Sequence, residues 1–460
     1  MPDMLVSHSP QQPDLVVAEA AATTPSQVVE AVARAREAAR HWSATGGPGR
    51  CNALRQVSRA LAARSQELED LIVTEVGKPR GEARGEVART LAIVDYYAQA
   101  ALLRVGEVLP PNGTDLLYTE RRPHGVVGLI TPWNFPAAIP FWKAMPALAA
   151  GNAVLLKPST AALGCARFLA DLVAAHLPEG TVELVPGERE TATAMIDLVD
   201  AVSFTGSTAV GRSVARRAAG RGIPVQAEMG GQNAAIVLPD APIEATAVML
   251  AGAAMGYAGQ KCTATSRVVV VGDPAPLLEA LEAAVKSLPV GDPGDERTVA
   301  GPVISSAAAA AVEDAAARVT RDGGLLVRGS GVDSAGHFVA PTLLWGLSAS
   351  HPLNQEETFG PITSVLPVES AQEAVAVANA VAQGLVSSVH GRDVGRLMSV
   401  VRGLDTGMIK VNAPSSGVDF YAPFGGEKDS SVGPREQGAT ALEFYTSSRT
   451  VTIASPGGSG

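Results

Sequence analysis

The chain is poor in cysteine: Cys51, Cys165 and Cys262 are the only three in 460 residues. So few thiols cannot build a disulfide framework, and they point to a reducing compartment. The opening MPDMLVSHSPQQPDL lacks the charged start and apolar stretch of a secretory signal, so a cytoplasmic location is expected. Charge is also sparse, at 18% of residues, which is too little for a disordered chain. Lys and Arg number 36 against 46 Asp and Glu, with no long basic run. Nucleic acid and anionic membrane are therefore excluded as partners. The uncharged stretch 125–142 is broken by Pro132, Pro136 and Pro140, so no membrane helix is expected there. Seven histidines are scattered, and CxxC, HExxH and GxSxG are all absent. A zinc site and a serine-triad hydrolase drop out, and no metal is expected.

What is present is apolar: AVILMFWYC residues make up 46%, enough for a large core and roughly three domain-sized units. Thr24 with Pro25 reads as the N-cap and first position of a helix over 25–43. A second, longer helix carries Leu54, Val57, Leu61, Leu68, Leu71, Ile72 and Val76 at helical spacing, and Gly77 and Pro79 end it. Strands are expected at 125–131, 152–157, 181–186, 201–205, 234–238 and 266–271, with two helical stretches between 157 and 201. This alternation predicts an open, mostly parallel α/β sheet, followed by a second α/β region from about 232 to 423. Pro-Pro-Asn-Gly at the centre of 105–124 predicts a hairpin. The segment 443–454 reads as a last strand, and the tail SPGGSG as unstructured.

Several segments could carry chemistry. Cys262 stands in Gly259-Gln260-Lys261-Cys262-Thr263, between the small-residue pattern AGAAMGYA and the strand SRVVVV. A loop thiol beside glycine and polar residues can meet a substrate and reacts as thiolate; it can equally be a small buried hydrophobe. Cys51 and Cys165 sit on helical apolar faces and read as core. Glu228, between Pro224-Val225 and Gly230-Gly231, is either a buried carboxylate raised toward use as a general base or an exposed strand-end glutamate. Gly206-Ser207-Thr208-Ala209-Val210-Gly211 follows a strand and opens a helix, the geometry of a phosphate cradle or of an ordinary turn. Lys157-Pro158-Ser159-Thr160 offers a cation and hydroxyls at another strand end, where ligands of parallel sheets bind. Asn134, in Thr131-Pro132-Trp133-Asn134-Phe135-Pro136, could donate to an oxyanion or belong to a plain proline-rich turn.

In combination these segments resemble the aldehyde dehydrogenase superfamily, over about 25–454. The motifs are PWNFP (132–136), KPS (157–159), FTGS (204–207), EMGG (228–231), GQKC (259–262), ETFGP (357–361) and PFGG-x-K (423–428), with Glu228 and Cys262 separated by 34 positions. The resemblance implies a Rossmann-like α/β cofactor domain (1–105 and 125–230), an α/β catalytic domain (231–423) and a small β oligomerisation element (106–124 and 443–454). It implies that Cys262 attacks the aldehyde carbonyl and that Asn134 stabilises the oxyanion. Hydride then passes to nicotinamide, and Glu228 activates water to hydrolyse the thioester. Lys143 resembles the lysine that relays protons from that glutamate. Thr131, Pro132, Trp133, Lys157, Ser159, Thr160, Gly187, Gly206, Ser207, Gly230, Glu357 and Phe359 are the implied cofactor residues; Phe135, Trp142, Lys261 and Phe420 are candidate substrate residues. A homodimer or homotetramer is implied.

Thr160 replaces the glutamate that often holds the ribose hydroxyls of NAD, so NAD or NADP is expected with NADP favoured. GQKCTATSR and VDFYAPFGGEKDSSVGPREQG look most like 2,5-dioxopentanoate (α-ketoglutaric semialdehyde) dehydrogenases, which commonly have Arg where Lys261 stands. Lys261 either anchors a substrate carboxylate as a point charge or points away from the pocket. With 6 Tyr, 4 Trp and 9 Phe, a large aromatic-lined tunnel is not expected. The expected reaction is NAD(P)-dependent oxidation of a small, carboxylate-bearing aldehyde to its acid. The rivals are an uncharged or amino aldehyde as substrate, transfer of the acyl group to coenzyme A, and a silent scaffold on the same fold. Glu228 argues against the coenzyme-A rival, and the intact set Asn134, Glu228, Cys262 and Glu357 against the scaffold.

Overall fold

The computed structural model describes residues 3–103, 106–111, 116–332, 334–417 and 419–454. Two sheets dominate it. The first runs in the order Ser431–Val432, Val225–Glu228, Ala201–Thr205, Val126–Thr131, Ala153–Pro158, Val182–Leu184; all neighbours are parallel except the returning Ser431–Val432. Val126–Thr131, Ala153–Pro158 and Ala201–Thr205 are buried throughout, which is why they read as continuous apolar runs rather than alternating ones. The strand order reverses beside Val126–Thr131, leaving a crevice at the carboxyl ends of Val126–Thr131 and Ala201–Thr205.

The second sheet takes the order Leu325–Arg328, Thr342–Trp345, Ile362–Val368, Arg267–Val271, Ala234–Val237, Val386–His390, Met408–Val411; only Leu325–Arg328 is antiparallel to its neighbour. Thr446–Ile453 pairs antiparallel with Leu116–Pro123, which pairs with Val108–Leu109. The tip of that hairpin, 112–115, and the tail 455–460 lie outside the described residues. Glu443 and Phe444, expected in the last strand, belong to the short helix Thr440–Phe444.

The first helix, Pro25–Ala44, begins where Thr24 predicts. The Thr24 side chain accepts from the Gln27 N–H, and the Gln27 side chain accepts from the Thr24 N–H, a reciprocal capping box. The expected single helix over 54–76 is instead two, Gly46–Ala63 and Ser65–Val76, divided at Arg64 (φ −116°, ψ 18°). The break leaves no mark in the apolar spacing because Leu54, Leu61, Leu68 and Ile72 enter the same core from both halves. A further element without an early signal is the N-terminal hairpin of Met4–Ser9 and Gln12–Ala21. Its Ser7 hydroxyl donates to Glu75 Oε1 at 2.7 Å, so long-range packing, not local propensity, holds it. Among the described residues no helix is long and apolar enough to cross a membrane.

Candidate active site

The loop bearing Cys262 is shaped by unusual backbone. After the helix Ile243–Met255, Tyr257, Ala258 and Gly259 take φ of 56°, 52° and 67°. Left-handed non-glycine residues cost on the order of 1–3 kcal/mol each. Packing offsets that cost: Tyr257 is fully buried, donates its hydroxyl to the Val76 carbonyl and its N–H to the Val299 carbonyl, and lies under Lys78. Gly259 is obligatory, since a Cβ there would lie 2.1 Å from the Gly360 carbonyl oxygen. Cys262 itself is pinned by Asn233, whose Nδ2 donates to the carbonyls of Cys262 (2.7 Å) and Ala264 (2.8 Å). Cys51 and Cys165 are buried, whereas Cys262 keeps some exposure. Burial, followed by the carboxylates of Glu357, Glu228 and Glu436, pushes the Cys262 thiol above its ordinary value. Burial and these negative charges favour the thiol over the thiolate.

Asn134 reaches this loop from the first sheet. It lies just past Val126–Thr131, and its Nδ2 donates to the Gln260 carbonyl at 3.0 Å. A primary amide has two N–H groups, so one remains for a developing oxyanion near Cys262. The carboxylate of Glu86 holds the following turn, accepting from the N–H groups of Ala137 (2.9 Å) and Ala138 (3.0 Å).

Glu228 ends Val225–Glu228 and is buried. Burial and the charge of Glu436 raise its carboxyl well above the carboxylate range; Ser431, Lys143 and Arg435 oppose them. Lys143, also fully buried, forms an ion pair with Glu436 and donates to Ser203 Oγ at 2.8 Å. Glu436 was not singled out by sequence. It stands in the Pro434-Arg435-Glu436 segment that follows the PFGG-x-K motif, and its role is visible only through its contacts 293 positions away in the chain.

The crevice of the first sheet presents free polar groups of the kind that bind a dinucleotide at such a switch point. Thr131 Oγ1 and Thr205 Oγ1 are buried there without hydrogen-bond partners. Ser207 caps the helix Thr208–Arg221 without a side-chain cap bond, leaving its hydroxyl and the helix N-terminus for a phosphate. Beyond Lys157, at the end of Ala153–Pro158, a groove is lined by Glu188, Arg189, Ala192, Val210 and Val214. Val210 is half exposed in it, as a flat apolar base would require. At the opposite end, Trp133 and Phe359 meet edge to face, 5.9 Å apart. The Glu357 carboxylate lies where a Gly230 Cβ would stand, 1.9 Å from that position, and burial raises it to about 7 against the Gly231 N–H. Gly187 packs against Thr191, and Ser159 accepts from the Ala161 N–H, so both shape the crevice floor through backbone turns.

The candidate substrate residues separate. Phe135 is half-buried with Lys78 Nζ 3.7 Å above its ring, and Phe420 meets Tyr96 and Tyr421 edge to face. Trp142 is instead buried, its indole N–H donating to Glu436 Oε2 at 2.8 Å. Lys261 also departs from the anchor alternative: its Nζ donates to Glu82 Oε1 at 2.6 Å and is largely buried. The ammonium therefore already has a carboxylate partner, at the partly exposed Glu82, which competes with any substrate carboxylate for it. Accordingly, Lys261→Ala should change KM for charged and neutral aldehydes by the same factor. A selective rise for carboxylate-bearing aldehydes would restore the anchor.

Comparison with known proteins places this geometry among enzymes. The sequence profile of the aldehyde dehydrogenase family matches residues 3–451. The chain is 37% identical to the alpha-ketoglutaric semialdehyde dehydrogenase of Bacillus subtilis (strain 168), over 98% of this chain and 95% of that one. It is 35% identical to the 2,5-dioxopentanoate dehydrogenase of Saccharolobus solfataricus, over 96% and 95%. The crystal structure of betaine aldehyde dehydrogenase from Staphylococcus aureus in complex with NAD+ superposes with a TM-score of 0.94 at 29% identity, covering 98% of this chain and 91% of that one.

Proposed function

The chain belongs to the aldehyde dehydrogenase family and is an NAD(P)-dependent enzyme of that class; on that premise we propose that its substrate is a small semialdehyde bearing a carboxylate, oxidised to the diacid. The mechanism rests above all on a partly exposed thiol on a loop whose Gln260 carbonyl accepts from the Asn134 amide, with the buried Glu228 carboxylate acting on it electrostatically. Cys262 gives its proton to water as its sulfur adds to the aldehyde carbonyl carbon, and Asn134 with the Cys262 backbone N–H holds the resulting oxyanion. A nicotinamide held in the crevice would supply the hydride acceptor, and Cys262 would then carry the acyl group as a thioester. Glu228 takes a proton from water, the water oxygen attacks the thioester carbonyl, and the C–S bond breaks to release acid and thiol. Lys143 and Glu436 stand behind Glu228 as the route by which that proton departs.

The substrate class is supported by the relatives above, two of which carry semialdehyde or dioxo-acid names. It is tested with an aldehyde panel containing 2,5-dioxopentanoate, malonate semialdehyde, geranial and betaine aldehyde, without coenzyme A. The expected kcat/KM is at least about tenfold higher for the carboxylate-bearing members; preference for the neutral or cationic ones overturns the substrate reading alone.

For the cofactor we infer NAD over NADP. Thr160 does lack a carboxylate, but its hydroxyl donates to Glu188 Oε1 at 2.5 Å, beside Lys157. Glu188 thereby brings back the negative charge that Thr160 removes, and a 2′-phosphate of nearly two charges is repelled at close range. Glu188→Gln is expected to raise the NADP to NAD ratio of kcat/KM by about tenfold or more. The same shift should appear in direct binding of 2′,5′-ADP against 5′-AMP to the cofactor-free protein. An unchanged ratio in both assays would end the argument. The edge strand Thr446–Ile453 carries unpaired backbone groups along one side, which supports assembly into a homodimer or homotetramer. Free, unpaired cysteines support a reducing, cytoplasmic setting.

A further inference from the structure

The return of the chain to the first sheet at Ser431–Val432 has a chemical consequence. In that antiparallel pairing Ser431 stands directly opposite Glu228. The Ser431 hydroxyl lies 2.5 Å from Glu228 Oε2 and accepts from the Gly426 N–H at 2.6 Å. An amide N–H can only donate, so the hydroxyl proton is left to point at the carboxylate. Glu228 Oε1 has no hydrogen-bond partner among the described residues. It faces Gly425, where a Cβ would come within 2.7 Å of it. Neighbouring Ser430 secures the register: its carbonyl accepts from the Met229 N–H (2.8 Å), and its hydroxyl donates to the Gly230 carbonyl (2.8 Å) and accepts from the Gly384 N–H (3.0 Å).

We propose that Ser431 is a positioning residue for the general base, holding Oε2 so that Oε1 is the oxygen presented to the hydrolytic water. This rests on the thioester mechanism above and adds to it a residue outside the reacting atoms. The other charged groups acting on Glu228 are Glu436, Lys143 and Arg435, with the Cys262 thiol beside them. Glu436 opposes ionisation of Glu228, and Lys143 and Arg435 favour it. None of the three offers a hydrogen bond to Oε2, which leaves Ser431 as the group that orients the carboxylate.

The test isolates hydrolysis from oxidation. Acetyl-enzyme is formed on Cys262 with p-nitrophenyl acetate, without cofactor, and its decay is followed by intact mass across pH. In Ser431→Ala the decay at neutral and lower pH is expected to slow by about 10- to 100-fold, the loss of one hydrogen bond to a charged group. The pH limb should move upward, and a deficit against wild type should persist on the high-pH plateau, where Glu228 is ionised but no longer held. Ser431→Thr, which keeps the hydroxyl, should restore the wild-type limb. If Ser431→Ala does not fold, Ser431→Cys, with its weaker donor, should give a limb displaced in the same direction. Decay profiles that coincide with wild type in the Ala or Cys variant overturn the proposal, as does a Thr variant no better than Ala. Wild-type protein that takes no acetyl group on Cys262 would instead overturn the mechanism on which it rests.

Discussion

Replacing Cys262 by alanine should lower kcat/KM for every aldehyde by about 10⁴-fold or more, because no other group in the site can form the covalent adduct. The other two cysteines cannot substitute. Cys165 is fully buried, with burial and Glu75 holding its thiol far above its usual range, and Cys51 lies within the helix core. The fold should tolerate the change, since the loop is held through the Cys262 carbonyl and not its sulfur. The check is cofactor reduction and NAD binding measured together: turnover lost with binding intact supports the assigned nucleophile. Residual turnover above about 1% would show that hydride transfer does not need the thiol.

Glu228→Gln should separate the two halves of the reaction. Oxidation on Cys262 still proceeds, so one equivalent of reduced cofactor per active site appears in a burst. Hydrolysis then lacks its base, and steady-state kcat falls by about 10²- to 10⁴-fold. Intact mass should show the acyl group retained on the protein. In wild type, only the ionised carboxylate can accept the water proton. Because burial and Glu436 raise the Glu228 carboxyl, kcat should climb as pH rises through that elevated value and flatten above it. The glutamine variant should lose this limb. A variant with full steady-state rate, or with no burst, would remove Glu228 from the hydrolytic step.

Much of this arrangement was legible in the chain before folding. The strands Ala201–Thr205 and Val126–Thr131 showed as apolar runs because both of their faces are covered. The start of Pro25–Ala44 showed because Thr24, Pro25 and Gln27 act within one turn. Cys262, after a helix, Glu228, ending a strand, and Asn134, just past one, each stayed open to a plain structural reading until the ordered motifs were taken together as a family resemblance. The split at Arg64 did not show, since apolar spacing reports burial and continues unaltered across a kink that keeps the same face inward.

The partnerships of charged groups form the other half of the account. Thr160 alone argued for NADP, and Lys261 alone allowed a substrate anchor. Glu188 and Glu82, 28 and 179 positions away along the chain, are the partners that Thr160 and Lys261 take in the fold, and neither is visible from the local segment. Glu436 reaches Lys143 and Ser431 reaches Glu228 across 293 and 203 positions. Residue type and local spacing are properties of a segment, so fold class and the proposed nucleophile and base are legible in the chain itself. The charge that a buried group feels depends on whichever residues the fold packs within a few ångströms, in a medium that screens them weakly. The pairing of Lys261 and the orientation of Glu228 are therefore consequences of tertiary packing.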